Sequence, residues 1–375
     1  MIITTSFDIV FLGLTITSSW GNGHATTYRG LIKALASRGH KILFLEHDMP
    51  WYAENRDLVN PPYVSVYLYK SFNELKRKYE DVVKRADLVV VGSYVPEGAV
   101  VGEWVTNTAR GLTAFYDIDT PVTVSKLLKR NYEYLTPQLV QSYDLYLSFA
   151  GGPVLEIIEK VYGSPMARPL YCSVDPSLYY PEKMNTQYDF GYMGTYSEDR
   201  QDHLEKLFIE SARKWSQGRF VIAGPQYPEK LSWPENICYF EHVPPGKHRE
   251  FYNSQRFTLN ITRADMVQAG YAPSVRLFEA AACGVPVISD YWEGLSTFFS
   301  LDDEILLSSS QEHTLRYLSS MSESERIKTG LRARKKVLSK HTASHRAEEL
   351  ENYVREARRK KQHNLFYKSI VYKKI

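Results

Sequence analysis

Short apolar runs alternate with stretches of helical spacing along most of this chain. Asp8 to Thr15 reads as a mostly apolar strand, and Thr26 to Ser37 places Tyr28, Leu31, Ile32 and Leu35 on one helical face. Gly39 stops that helix, and Lys41 to Leu45 supplies the next strand. Further strands are expected at Asp87 to Val91, Leu112 to Tyr116 and Leu145 to Phe149. The second half repeats the plan, with strands at Asp189 to Met193, Arg219 to Ala223, Ile237 to Phe240, Phe257 to Asn260 and Val285 to Ser289. Strands and helices in alternation argue for an α/β protein with doubly wound parallel sheets. The segment Ala343 to Lys361 is a strong helix former with acids and bases interspersed.

A chain of 375 residues suits two domains rather than one core. The proline-bearing stretch Pro169 to Pro181 reads as their connection. The expected divisions are 1–170, 171–345, and a helix with a basic tail over 346–375. An apolar share of 43% and a charged share of 24% are those of a soluble globular protein. The net charge of +3 is unevenly spread. The tail 355–375 holds Arg355, Arg358, Arg359, Lys360, Lys361, Lys368, Lys373 and Lys374 against the single acid Glu356. Such a tail is either a solvated terminus or a contact for an anionic membrane or nucleic acid. Cys172, Cys238 and Cys283 form no CxxC pair, so neither a disulfide framework nor a zinc site is expected. No apolar run reaches membrane-spanning length, and no basic leader precedes Arg29, which together suggest a cytoplasmic protein.

The most informative segment is 270–290. Ser274 can cap a helix whose early turns carry Arg276 and Glu279, while Gly284 and Pro286 end it before a buried strand. A helix N-terminus at Ser274 and Val275, beside an arginine, suits a diphosphate. A carboxylate one turn deeper can accept from the vicinal hydroxyls of a ribose. The alternative is an i,i+3 surface pair of Arg276 with Glu279. Ser18 to His24 is read as a flexible loop at a strand–helix junction, where the glycines of Gly21-Asn22-Gly23-His24 let backbone approach a ligand. Its His24 is a candidate base or sugar contact, or a structural histidine. Asp117 and Asp119, just after a buried strand, are candidate acceptor-positioning carboxylates or bases, and an Asp-x-Asp metal pair is the competing reading. Glu46 and Asp48 leave open a nicotinamide enzyme, although Thr26 stands where the dinucleotide fingerprint wants a small residue.

The run Glu279-Ala-Ala-Ala-Cys-Gly-Val-Pro-Val-Ile resembles the nucleotide-sugar signature of GT-B glycosyltransferases, especially the retaining family 4 enzymes and the CgeB-like group. In their Glu-x7-Glu motif the second glutamate matches Glu279, and the first falls on Tyr271. Val174, Asp175, Tyr179 and Pro181 similarly match the family's hinge segment. The resemblance implies a GT-B fold: two Rossmann-like domains facing a cleft, with the C-terminal helix crossing back to the first. It implies metal-independent, retaining transfer from a nucleotide-diphosphate sugar, most simply a UDP-sugar, to an acceptor hydroxyl. No further cofactor is implied. Gly194, Thr195 and Arg200 match the phosphate loop, Gly224 the end of an Ala-Gly strand, His242 the base-reading stretch, and Arg263 the same donor side. Tyr271 in place of a glutamate also keeps open a non-catalytic nucleotide-sugar-binding protein.

Overall fold

The computed structural model describes residues 6–21 and 23–372. Asn22 of the expected glycine loop, and Lys373 and Lys374 of the basic tail, lie outside the described residues. The chain divides into two compact units: residues 1–171 with 343–375, and residues 172–342.

The first unit holds seven strands, β1 (Asp8–Gly13), β2 (Lys41–His47), β3 (Ser65–Tyr69), β4 (Leu88–Gly92), β5 (Leu112–Asp117), β6 (Leu145–Ser148) and β7 (Ala167–Pro169). They form one parallel sheet in the order β3-β2-β1-β4-β5-β6-β7. The run Leu-Val-Val-Val-Gly of β4 is buried throughout, as expected of a central parallel strand covered on both faces. β3 escapes the apolar pattern because it is an edge strand whose residues are mostly uncovered, and the three residues of β7 are too few to show a period. The strand order reverses between β1 and β4, the kind of switch point where open α/β sheets place ligands.

The final helix, Ala343–Tyr372, belongs to this unit and runs past the expected Lys361. Glu351 accepts from Arg38 and His40. Arg358 pairs with Asp87 at 2.6 Å, Lys361 with Asp144 at 2.9 Å, and Lys360 donates to the Pro165 carbonyl. Residues 355–361 are thus helix fastened to the first unit, which corrects the reading of that stretch as a frayed terminus. Over 358–361 its cations serve largely as docking groups within the unit. No helix among the described residues is long and apolar enough to cross a membrane.

The second unit holds β8 (Tyr188–Met193), β9 (Phe220–Ala223), β10 (Ile237–Phe240), β11 (Gln255–Asn260), β12 (Val287–Ser289) and β13 (Leu306–Leu307). They form a parallel sheet in the order β10-β9-β8-β11-β12-β13, with its switch between β8 and β11. Phe190, Phe208, Phe220 and Phe257 centre its core. Gly284, at φ +75°, ends helix Val275–Ala282 in the left-handed region, as the sequence anticipates.

Candidate functional sites at the sheet edges

At the switch of the second sheet, Asn260 closes β11 and is fully buried. Its Nδ2 donates to Thr262 Oγ1 and to Ser289 Oγ at 3.0 Å. Its Oδ1 accepts from Ser274 Oγ at 3.0 Å and from Arg276 Nη1 at 2.8 Å. Arg276 Nε donates to the Met193 carbonyl at 2.6 Å, so one guanidinium is fastened to the ends of both switch strands. It also lies 5.1 Å from the centre of the Tyr192 ring. Ser274 takes the N-cap position, but its hydroxyl turns to Asn260 and caps nothing. The start of helix Val275–Ala282 is thus left without a side-chain cap, beside a fixed positive charge. An anion is stabilised there by both the helix dipole and the guanidinium.

Two glycine loops abut this corner. Gly224 has φ +154°, and a Cβ there would stand 2.0 Å from the Gly194 carbonyl oxygen. A Cβ on Gly194 would stand 3.1 Å from Arg276 Nη2, so backbone alone fits between loop and guanidinium. Arg200 Nη2 donates to the Thr195 carbonyl at 2.5 Å. The Nε atoms of Arg200 and Arg263 are buried without a hydrogen-bond partner. Arg263 Nε lies 4.0 Å from Asp199 Oδ2. Ser197, Asp199, Arg263 and Ala264 line an open depression of about 520 Å³.

Two expectations change here. Glu279 is buried, its Oε2 accepting from Tyr252 Oη at 3.2 Å, so it faces the interior instead of an open ribose site. Burial raises its carboxyl above the usual range. The Arg276–Glu279 surface pair is absent as well, because both side chains are buried and turn to different partners. His242 is exposed and follows the edge strand β10, two strands from β8. Tyr271 adopts φ +51°, donates its amide to the Glu293 carbonyl at 2.7 Å, and directs its hydroxyl to the Glu293 carboxylate.

At the switch of the first sheet, His24 opens helix His24–Ser37 and is 6% exposed. Its Nε2 lies 3.2 Å from Asp119 Oδ2, its ring meets Tyr94 edge-on, and its Nδ1 is buried without a hydrogen-bond partner. Asp119 keeps some exposure. Asp117 has none, which corrects its assignment as an acceptor-positioning carboxylate or base. Its oxygens accept from Thr123 Oγ1 at 2.7 Å, Tyr146 Oη at 2.5 Å and the Asp119 amide at 3.3 Å. Burial, only partly offset by these bonds, pushes its carboxyl up to about 6.

The loop before His24 is fastened, not free, as far as residue 19. Glu46 is fully buried and accepts from the Ile16 and Thr17 amides and from both threonine hydroxyls, Thr15 and Thr17. Asp57 binds the Ser19 amide and hydroxyl and the Arg29 guanidinium. Glu46 is therefore occupied by its own loop, and Asp48 by Arg56, which removes the ribose-binding acid of a nicotinamide enzyme. Gly21 takes φ +66°, and Gly23 precedes the helix without a capping bond.

Asn260 and Glu46, the organisers of the two edges, were not singled out as such by sequence pattern. A polar residue ending the apolar run Phe257 to Asn260 was the available signal for the first.

Residues 200–352 match the family model described as glycosyl transferase-like. No curated protein matches the chain by sequence. Among solved structures, sucrose-phosphate synthase from Thermosynechococcus elongatus is 13% identical with a TM-score of 0.66, covering 93% of this chain and 98% of its own. HepE from Anabaena, in complex with UDP and glucose, is 12% identical with a TM-score of 0.69 over 93% of this chain and 100% of its own. An alpha-glucosyltransferase in complex with UDP-glucose and DNA containing an abasic site is 12% identical with a TM-score of 0.68 over the same shares. Two parallel Rossmann-like sheets and this likeness along nearly its whole length give the chain a GT-B fold, and its residues 200–352 are similar to the glycosyl transferase-like family.

Proposed function

We propose that this protein transfers a sugar from a UDP-sugar to an acceptor hydroxyl, without a metal ion and with retention at the anomeric carbon. One observation carries the reading: Arg276 is fixed at the uncapped start of helix Val275–Ala282, on the switch point of the second unit. The diphosphate docks on the Val275 and Arg276 amides, with the Arg276 guanidinium and the glycine loop at Gly194 alongside. Arg200 and Arg263, whose Nε atoms lack hydrogen-bond partners, add charge on the same sheet edge. As the acceptor oxygen bonds to the anomeric carbon, the bond to the diphosphate breaks and its electron pair leaves on UDP. The acceptor proton passes to a diphosphate oxygen. Fixed amides and guanidinium groups stabilise that developing charge in the role a cation otherwise fills.

Uridine is supported by the UDP complexes of HepE and the alpha-glucosyltransferase. Retention and metal independence rest on the resemblance of 270–290. In the first unit, the His24 Nδ1 accepts from a sugar or acceptor hydroxyl when Asp119 holds the proton on Nε2. The three free thiols suit a reducing compartment.

Titration with UDP, GDP, TDP and ADP tests the donor site. UDP should bind most tightly, and Arg276→Ala should weaken it by about 1–3 kcal/mol, the range for a charged hydrogen bond. An unchanged Kd in a folded Arg276→Ala protein would sink the assignment. NMR of the product anomer tests retention, and binding without turnover would leave a sugar-nucleotide sensor.

A further inference from the structure

We propose that Asp117 is a positioning residue that fixes the corner presenting Asp119 to His24 and couples that pair electrostatically to a buried tyrosine network. This rests on the reading of His24 as a substrate-facing group.

The corner is built around a single carboxylate. Asp117 Oδ1 takes the Asp119 amide at 3.3 Å and the Thr123 hydroxyl at 2.7 Å. Thr123 Oγ1 also lies 2.8 Å from Tyr134 Oη and within reach of the Asp119 carbonyl. Tyr146 binds Oδ2 from the neighbouring strand, and the Asp117 carbonyl accepts from Thr120. The bonds among Asp117, Asp119, Thr120 and Thr123 close the turn between β5 and helix Thr120–Leu128 that carries Asp119, and Tyr146 and Tyr134 tie it to neighbouring elements.

The charged and titratable groups around this corner are few. Tyr28, from the His24 helix, Tyr134 and Tyr146 feel the Asp117 charge, and burial holds all three phenols neutral with raised pKa. Asp119 is the nearest second carboxylate. Lys126 stands over the Tyr94 and Tyr134 rings and pairs with Glu133. Asp117 forms no ion pair among the described residues. A buried charge without a counter-ion acts strongly on its neighbours, because the low local dielectric screens it little. Asp117 carries that charge only above about pH 6, where burial has moved its titration.

The test uses the full chain. In the native protein the Asp117 carboxyl carbon, followed by NMR, should show an inflection near pH 6, and kcat should fall as pH drops through the same range. Asp117→Asn should erase that inflection and lower kcat by about tenfold, the scale of a misplaced acid–base group. Tyr146→Phe removes a bond that favours the charged carboxylate, so the inflection should move to higher pH. Thr123→Ser should retain native behaviour and Thr123→Val should not. A folded Asp117→Asn protein with native kcat and the native pH dependence of kcat overturns the proposal. If Asp117→Asn does not fold, an unmoved inflection in Tyr146→Phe overturns it instead. The NMR arm needs no turnover, and UDP affinity is measured separately in each variant. A failed donor assignment is thereby distinguished from a failed role for Asp117.

Discussion

Arg38 grips Glu351 with two parallel bonds, Nε to Oε1 at 2.5 Å and Nη2 to Oε2 at 3.0 Å, while His40 Nε2 reaches Oε1 at 3.0 Å. The Glu351 side chain is only 1% exposed, so this contact anchors the final helix to the first unit from inside. Burial tends to raise its carboxyl, but the bonds from Arg38, His40 and Arg355 outweigh it and hold the group at about 2. A folded pKa below the unfolded value stabilises the protein above roughly pH 4, and that contribution is lost as pH falls from there toward 2. Glu351→Ala leaves Arg38 and His40 without their acceptor and should cost roughly 3 kcal/mol. Acid unfolding followed by circular dichroism checks this: Glu351→Gln should show a shallower loss between pH 4 and 2 than the native chain. Identical acid curves would rule out the anchor.

Glu46 predicts a different outcome. Its four bonds to the 15–17 segment make it the mould of the loop before His24. Glu46→Ala strands two buried amides and should cost on the order of 3 kcal/mol, with proteolysis appearing first around Thr17 to Trp20. The same occupancy predicts that the native protein leaves nicotinamide fluorescence unchanged. A fluorescence shift with the affinity of a cofactor would reopen the dehydrogenase reading.

The elements were legible where burial imposed the pattern. β1, β4 and β5 are apolar runs because helices cover both sheet faces, and helix Val275–Ala282 shows its stop at Gly284. β3 and β13 were illegible for opposite reasons, one too exposed and the other only two residues long. The site residues divided along similar lines. Arg276 and His24 could be picked from their residue types at strand–helix junctions. Whether Glu279 and Asp117 face a ligand or the interior depends on Tyr252 and Tyr146, which come from distant parts of the chain. No local spacing encodes that. Asn260 shows the same limit, since its importance lies in what converges on it after folding.

Glu279 should now behave as a structural carboxylate. Glu279→Ala removes the acceptor of the buried Tyr252 hydroxyl and should destabilise the second unit by about 1–3 kcal/mol. Glu279→Gln keeps an acceptor there and removes a charge whose folded pKa is raised. A raised carboxyl pKa contributes stability below the unfolded value and loses it as pH rises through the folded one. The glutamine variant should therefore lose less stability than native as pH rises above the ordinary carboxylate range in thermal scans. Its UDP affinity should stay within about twofold, since the carboxylate faces inward. A tenfold loss of UDP affinity in a fully folded Glu279→Gln protein would return Glu279 to the ribose.

Gly224→Ala probes the donor corner without touching a charge. The new methyl would meet the Gly194 carbonyl oxygen at 2.0 Å and its carbon at 2.5 Å, both backbone atoms that cannot rotate away. The φ of +154° adds strain for any L side chain. The two loops must separate, at a cost of about 1–3 kcal/mol in local strain. Because Gly194 lies against the Arg276 guanidinium, this separation should move the phosphate-binding backbone and weaken UDP by more than about tenfold. Gly246→Ala is the matched control, since a Cβ there meets nothing within 4 Å. Isothermal titration of both variants decides the matter. Equal UDP affinity in the two would show that the contact between the loops is incidental to the donor site, whereas a loss confined to Gly224→Ala ties nucleotide binding to that backbone contact.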